Sequence, residues 1–137
     1  IVQAAQQKGV YAFGWNSDMT KFGPKAHLAA AALHWEKIYE PVLKQVASNT
    51  WKPSAIKYGV KQGAVNIENF GPAADSKIRS KALQVRDQLK AGTLNPWAGP
   101  IYKQDGSMAV SKGKALNDDD LSKMNYYVKG VDGALPK

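Results

Sequence analysis

The chain contains no cysteine. That excludes disulfide scaffolds, cysteine-ligated zinc and thiol catalysis. It leaves the compartment open, because cytosolic chains and exported bacterial chains can both lack cysteine. Arginine is nearly missing too: the 19 basic residues include only Arg79 and Arg86. No apolar run approaches the ~20 residues that a membrane span requires. The sequence has no Gly-rich phosphate loop, no G-x-S-x-G elbow and no H-E-x-x-H pair. It has no internal repeat and no low-complexity segment. It opens Ile1-Val2-Gln3, without Met and without a basic, apolar leader. The expectation is that a leader was removed or that the chain is a piece of something longer.

What remains is ordinary globular composition. With 137 residues the chain suits one compact domain of the commonest size. Hydrophobic residues make up 44% and charged residues 22%, which argues against disorder, collagen and coiled coil. The net charge of +8 invites a nucleic-acid reading. The excess is almost all lysine and is spread along the chain, whereas base readout and bidentate phosphate clamping favour arginine. The densest set, Lys77, Arg79, Lys81, Arg86 and Lys90, falls in one amphipathic stretch. It reads as a solvated helix face with, at most, a weak preference for anionic surfaces.

Periodicity predicts a mixed α/β chain with about three main helices. Residues 1–8 read as a helix stopped at Gly9, followed by a buried strand from Val10 to Trp15. Residues 27–33, HLAAAAL, are apolar and fit a strand or a helix start. From His34 to Ala47 the apolar stripe Trp35, Ile38, Tyr39, Val42, Leu43 and Val46 predicts a helix, with a kink or late start at Pro41. Residues 55–67 alternate and carry Gly59 and Gly63, which predicts two short strands or a hairpin turning near Lys61-Gln62-Gly63. Asp75 or Ser76 caps a helix running to about Lys90, with Ile78, Ala82, Leu83, Val85 and Leu89 as its buried stripe. Short strands at Ile101-Tyr102 and Met108 to Val110 flank a Gln104-Asp105-Gly106 turn. Asn117 or Asp118 caps a short helix ending near Met124.

Two places invite chemistry. If helical, His27 and His34 would share one face at a spacing of seven, but two ligands with no nearby carboxylate cluster make a poor metal site. Asp118, Asp119 and Asp120 lack the alternating ligands of a calcium loop and fit helix capping. The stronger place is Trp15-Asn16-Ser17-Asp18 at the carboxyl end of the first strand, where open α/β sheets bind ligands. Trp15 offers a stacking face and Asp18 an acceptor for hydroxyl or ring N–H groups, a pairing that suits a purine or nucleoside. The bland reading stands beside it: Trp15 as core and Asp18 as a turn residue.

At these residues the sequence resembles a known family. Gly14-Trp15-Asn16-Ser17-Asp18-Met19, then Phe22-Gly23-Pro24-Lys25-Ala26-His27-Leu28, is similar to the BMP (basic membrane protein) family, substrate-binding proteins of bacterial ABC importers. The likeness continues through Leu33-His34-Trp35, Tyr39 and Asn49-Thr50-Trp51-Lys52. It includes Lys90-Ala91-Gly92-Thr93-Leu94, Pro96 to Ile101, the Gln104-Asp105-Gly106 turn and the ending Leu121 to Pro136. It implies a periplasmic-binding-protein type I fold, two α/β lobes closing on a ligand, of which this chain would be the C-terminal portion, mostly the second lobe. It implies a receptor and not an enzyme, without a cofactor, for a purine base or nucleoside delivered to a membrane permease. Such proteins are exported, to the periplasm or, lipid-anchored, to the outer face of the cytoplasmic membrane. A lone portion would pair with the missing first-lobe part or with another copy of itself.

Carried over residue by residue, Asp18 matches the family's acidic ligand contact, with Trp15, Asn16 and Ser17 around it. His34 or Trp35 falls where nucleoside-binding relatives can carry a lysine that reaches the ligand. Neither is lysine, which leaves base and nucleoside both open. Lys57 to Gly63 also departs from the family's Gly-rich form and reads as scaffold near the cleft. The competing classes are a basic anion- or nucleic-acid-binding α/β domain, whose affinity would fall steeply with salt, and a nucleoside-directed enzyme, for which no base, nucleophile or metal site is visible.

Overall fold

The computed structural model describes residues 1–135. Pro136, the last residue of the resemblance, lies outside the described residues. Two compact units are present, Ile1–Leu94 and Asn95–Lys137.

The first unit runs α1 (Val2–Gln7), β1 (Ala12–Asn16), a 3-10 turn (Thr20–Phe22), β2 (His27–Leu33), α2 (Glu36–Ala47), β3 (Val65–Glu68) and α3 (Ser76–Ala91). Its sheet has the order β1-β2-β3. β1 is parallel to β2, with Gly14 opposite Ala30 and Asn16 opposite Ala32. β3 is antiparallel to β2, with Asn66 opposite Ala32 and Glu68 opposite Ala30.

β2 resolves the ambiguity of HLAAAAL in favour of a strand. Four alanines in a row favour helix by local propensity. Here they form the central strand, paired on both edges, and a strand covered on both faces reads as a continuous apolar run. The core is correspondingly small-grained: Ala26, Ala29, Ala30 and Ala32 are buried with Val2, Ala5, Ala64 and Ala74. The one large side chain fully buried among the described residues is His27.

The helices agree with the periodicity in place but not in burial. α2 starts at Glu36 and runs through Pro41, so no late start is seen. Pro41 has no N–H to return to the Lys37 carbonyl. None of its residues is buried, and Tyr39, Leu43 and Val46 of the predicted stripe are exposed. α3 is capped as predicted. The Asp75 side chain accepts from the Ile78 N–H at 2.8 Å, and Gly92 closes the helix in the left-handed region (φ 73°), where a residue without Cβ is favoured. Ile78, Ala82, Val85 and Leu89 of its stripe line an open trough of about 710 Å3 against Ala31, Val65 and Ile67 of the sheet; Ile78 is exposed and the other stripe residues are only half-buried.

The hairpin expected at residues 55–67 does not form. Residues 51–59 carry no regular structure. Only Val65–Glu68 becomes a strand, and it pairs with β2 instead of its own neighbour. The alternation over 55–60 is a local pattern without a partner strand, and isolated two-strand pairs are marginal in water.

The second unit holds β4 (Ile101–Tyr102), β5 (Met108–Val110) and α4 (Asp118–Ser122). β4 and β5 pair antiparallel around the predicted turn. Asn117 caps α4 in a capping box with Asp120, as the acidic first turn anticipated. The Gln104 side-chain amide donates to the carbonyls of Val131 (2.7 Å) and Gly133 (3.0 Å), tying the tail to the hairpin.

Candidate functional site

The site predicted at the end of β1 lies in the first unit. β1 reaches Asn16, which adopts a left-handed conformation (φ 74°). That reversal, open to Asn without large cost, turns the chain out of the sheet after Asn16. Asp18 follows in the loop that leads to β2. Its side chain is half exposed. Its Oδ1 accepts from the Thr20 backbone N–H at 2.9 Å and from the Thr20 hydroxyl at 2.5 Å. Those two Thr20 donors, hydroxyl first, hold the carboxyl below its ordinary range. The His27 ring acts in the same direction and slight burial against it. Oδ2 has no hydrogen-bond partner among the described residues. The loop therefore satisfies one oxygen of an ionised carboxylate internally and leaves the other without a hydrogen-bond partner among the described residues, on a half-exposed side chain.

Behind that loop lies His27. Its Nε2 donates to the Asn69 carbonyl at 2.9 Å and stands 3.9 Å from Asp18 Oδ1. The ring and the loop both crowd β1. A Cβ placed on Gly14 would sit 3.0 Å from His27 Cε1 and 3.3 Å from Met19 Cβ. The sequence gives this histidine away only as a polar residue inside the apolar run from Ala26 to Leu33. Its spacing from His34 has no meaning on a strand.

The remaining predicted residues fall in separate hollows. Trp15 is 69% exposed and lines a hollow of about 280 Å3 with Ile1, Val2, Phe13, Met19 and Phe22. Ser17 is exposed in the loop. His34 and Trp35 line another hollow, of about 220 Å3, with Ile38, Tyr58 and Val65. There His34 Nδ1 meets Glu36 Oε1 at 3.1 Å and Nε2 meets Glu68 Oε2 at 3.2 Å. Asn66 donates to the same Glu68 oxygen at 3.0 Å. Trp35 stacks on Tyr39, with ring centroids 5.9 Å apart. Because β1 and β2 are parallel, Asn16 and His34 leave the sheet at the same end. The structure thus places both groups on one edge without joining them into one cavity. Of the acidic pair around His34, Glu36 is only two residues on, whereas Glu68 was not legible because it is 34 residues away in sequence.

The sequence profile of the Bmp family, described as ABC transporter substrate-binding protein PnrA-like, matches residues 1–94. A purine-binding protein of Brucella abortus (strain 2308) is 40% identical over 136 residues, covering 99% of this chain and 39% of that protein. A putative ABC transporter glucose-binding protein of Haloferax volcanii is 25% identical over 135 residues, covering 98% of this chain and 32% of that protein. The chain therefore spans about two fifths or less of the length of either relative. Among solved structures, a transcriptional activator of the comK gene from Bacillus halodurans superposes with a TM-score of 0.61 at 19% identity, covering 69% of this chain and 34% of that one. At that identity the likeness concerns the fold alone.

Proposed function

Because the chain belongs to the Bmp family, we propose that it forms one wall of the ligand cleft in the substrate-binding protein of an ABC importer. The fold is the α/β periplasmic-binding-protein type I fold of that family, and this chain carries a portion of it. The ligand in this reading is a purine base or a nucleoside. The parent protein is an exported receptor, not an enzyme, and hands its ligand to a membrane permease. The first-lobe part of the receptor, or a second copy, supplies the facing wall.

The observation that carries the reading is the Asp18 carboxylate. It stands just past the end of a parallel strand, ionised, with Oδ1 held by Thr20 and Oδ2 open. A fixed anionic acceptor suits the ring N–H and amino groups of a purine or the hydroxyls of a ribose. Trp15, Asn16 and Ser17 beside it offer a stacking face and further polar groups. His34 and Trp35, at the same sheet edge, are the second set of ligand-facing residues. Purine is favoured over sugar because the relative named for purine binding is 40% identical and the one named for glucose only 25%.

The test is isothermal calorimetry of the full-length protein against adenine, guanine, adenosine, guanosine and glucose. Binding of at least one purine with micromolar or lower Kd, insensitive to salt between 50 and 200 mM (roughly the range over which nucleic-acid affinity collapses), is expected. Binding of glucose alone, or no binding of any purine, refutes the ligand assignment. A steep salt dependence favours the anion-binding class.

A further inference from the structure

A fully buried imidazole calls for an explanation, because each ring nitrogen loses water on burial. His27 Nε2 has a partner in the Asn69 carbonyl, 2.9 Å away. A carbonyl only accepts, so Nε2 carries the proton and Nδ1 holds the lone pair. Nδ1 is buried and has no hydrogen-bond partner among the described residues. A phenylalanine would fill a similar volume and leave no orphan nitrogen. Packing therefore does not account for the imidazole, and the Nε2–H does.

That N–H stands where two loops meet. On one side is Asp18 Oδ1, 3.9 Å away. On the other is the exit of β3, where Asn69 is left-handed (φ 53°). That exit is fastened in turn. Gly71 N–H donates to the Leu28 carbonyl at 2.9 Å, and Arg79 Nη2 donates to the Gly71 carbonyl at 2.9 Å. The Asn69 carbonyl is thus a fixed anchor and not a loose loop oxygen.

We propose that His27 is a positioning residue for Asp18. Its buried Nε2–H, anchored on the Asn69 carbonyl, gives the carboxylate a fixed electropositive neighbour that keeps Oδ1 turned inward to Thr20 and Oδ2 outward to the ligand. The proposal rests on the reading of Asp18 as a ligand contact. Its physical content is preorganisation: a contact group whose orientation is set before the ligand arrives loses less freedom on binding.

The test uses three substitutions in the full-length protein. His27→Phe keeps the ring and removes the donor. His27→Gln can place an amide N–H near the Nε2 position. His27→Asn places one near Nδ1, out of reach of the Asn69 carbonyl. The ligand-free readout is the NMR titration of the Asp18 side-chain carboxyl. The second readout is calorimetric Kd for adenine and adenosine. The expected result is an Asp18 midpoint that rises in the Phe and Asn variants and stays low in the Gln variant. Affinity should fall about tenfold in the first two and recover to within about threefold in the third, as loss and return of one oriented polar contact would give. If His27→Phe fails to fold, the Asn and Gln pair decides by the same criterion. An Asp18 midpoint and affinity unchanged in both the Phe and Asn variants overturn the proposal, and so does a shifted midpoint with unchanged affinity. If the wild-type full-length protein binds neither probe, the ligand reading has failed, and the Asp18 titration alone decides the role of His27.

Discussion

Gly71 gives the sharpest check on the architecture behind the site. A Cβ added there would overlap the His27 backbone carbonyl oxygen and lie 2.8 Å from the His27 carbonyl carbon. Both neighbours are backbone of the central strand, so neither can swing away as a side chain could. The Gly71→Ala variant must therefore move the turn. Doing so stretches the Gly71 N–H bond to the Leu28 carbonyl and the Arg79 bond to the Gly71 carbonyl, each 2.9 Å. A part-buried backbone group left without its partner costs about 1–3 kcal/mol, and a bond to a charged group about 1.5–3 kcal/mol. The expected loss is about 3–5 kcal/mol, a large share of the roughly 5–15 kcal/mol that holds a domain folded. For a unit of the size of Ile1–Leu94, 3 kcal/mol corresponds to a fall in Tm of roughly 12–24 °C. Calorimetry and far-UV circular dichroism on the same samples read it. Gly59 is the control: a Cβ there meets nothing within 4 Å and its φ is not positive. The Gly59→Ala variant should stay within ~0.5 kcal/mol of wild type. A Gly71→Ala variant within ~1 kcal/mol of wild type would refute the placement of the β3 exit against His27.

Other expectations follow from single contacts. Asp18→Ala should weaken purine binding by ~2 kcal/mol, about 30-fold, because one charge-assisted bond through Oδ2 is lost. Its Tm should change little, since the Thr20 bonds it breaks are exposed; affinity within about threefold of wild type by calorimetry would make Asp18 a turn residue only. The Asp105 carboxyl is held below its ordinary range by the Ser107 hydroxyl and backbone N–H. A lowered folded-state value means that its contribution is present above about pH 4 and is lost as pH falls through the lowered midpoint. Ser107→Ala should raise that midpoint in an NMR titration, and an unmoved midpoint would show that Ser107 is not the cause. Asn117→Ala removes the acceptor for the Asp119 and Asp120 N–H groups. It should cost about 1 kcal/mol and speed amide exchange at those two residues, and unchanged exchange would refute the cap.

The legible parts of the fold are those whose causes are close in sequence. α3 was readable because its N-cap bond spans three residues, Asp75 to Ile78, and because Gly92 supplies the left-handed stop next to the last turn. The β4–β5 hairpin and the Asn117 capping box are equally local. The reading failed where a partner far along the chain decides. Residues 55–60 alternate like a strand, yet what makes a strand is a neighbour with free ladder groups. β2 gives its free edge to Val65–Glu68. HLAAAAL was undecidable for the same reason: alanine favours helix, and only pairing on both edges makes β2 the centre of a sheet. The stripe on α2 was placed correctly, but periodicity reports which face is apolar and not whether anything covers it.

The candidate site divides along the same line. The loop that carries Asp18 was legible because the contacts that shape it are local: the left-handed Asn16 before it and the Thr20 donors after it. His27, which backs it, was not. Its deciding contact is with Asn69, 42 residues on, and its burial depends on a sheet whose third strand pairs with β2 and not with its sequence neighbour. The sequence nevertheless held a usable signal. A histidine set between Ala26 and Leu28-Ala29-Ala30 interrupts an apolar run where any aliphatic side chain would pack without an orphan nitrogen. A polar side chain buried on a strand is costly unless it meets a partner. The residue to seek is therefore a backbone acceptor on a neighbouring strand exit, and a left-handed Asn just past β3 supplies it. The same logic separates His27 from His34. His34 lies past the strand end, partly exposed between two carboxylates, so water can replace either partner, and its loss should disturb the sheet far less than the loss of His27.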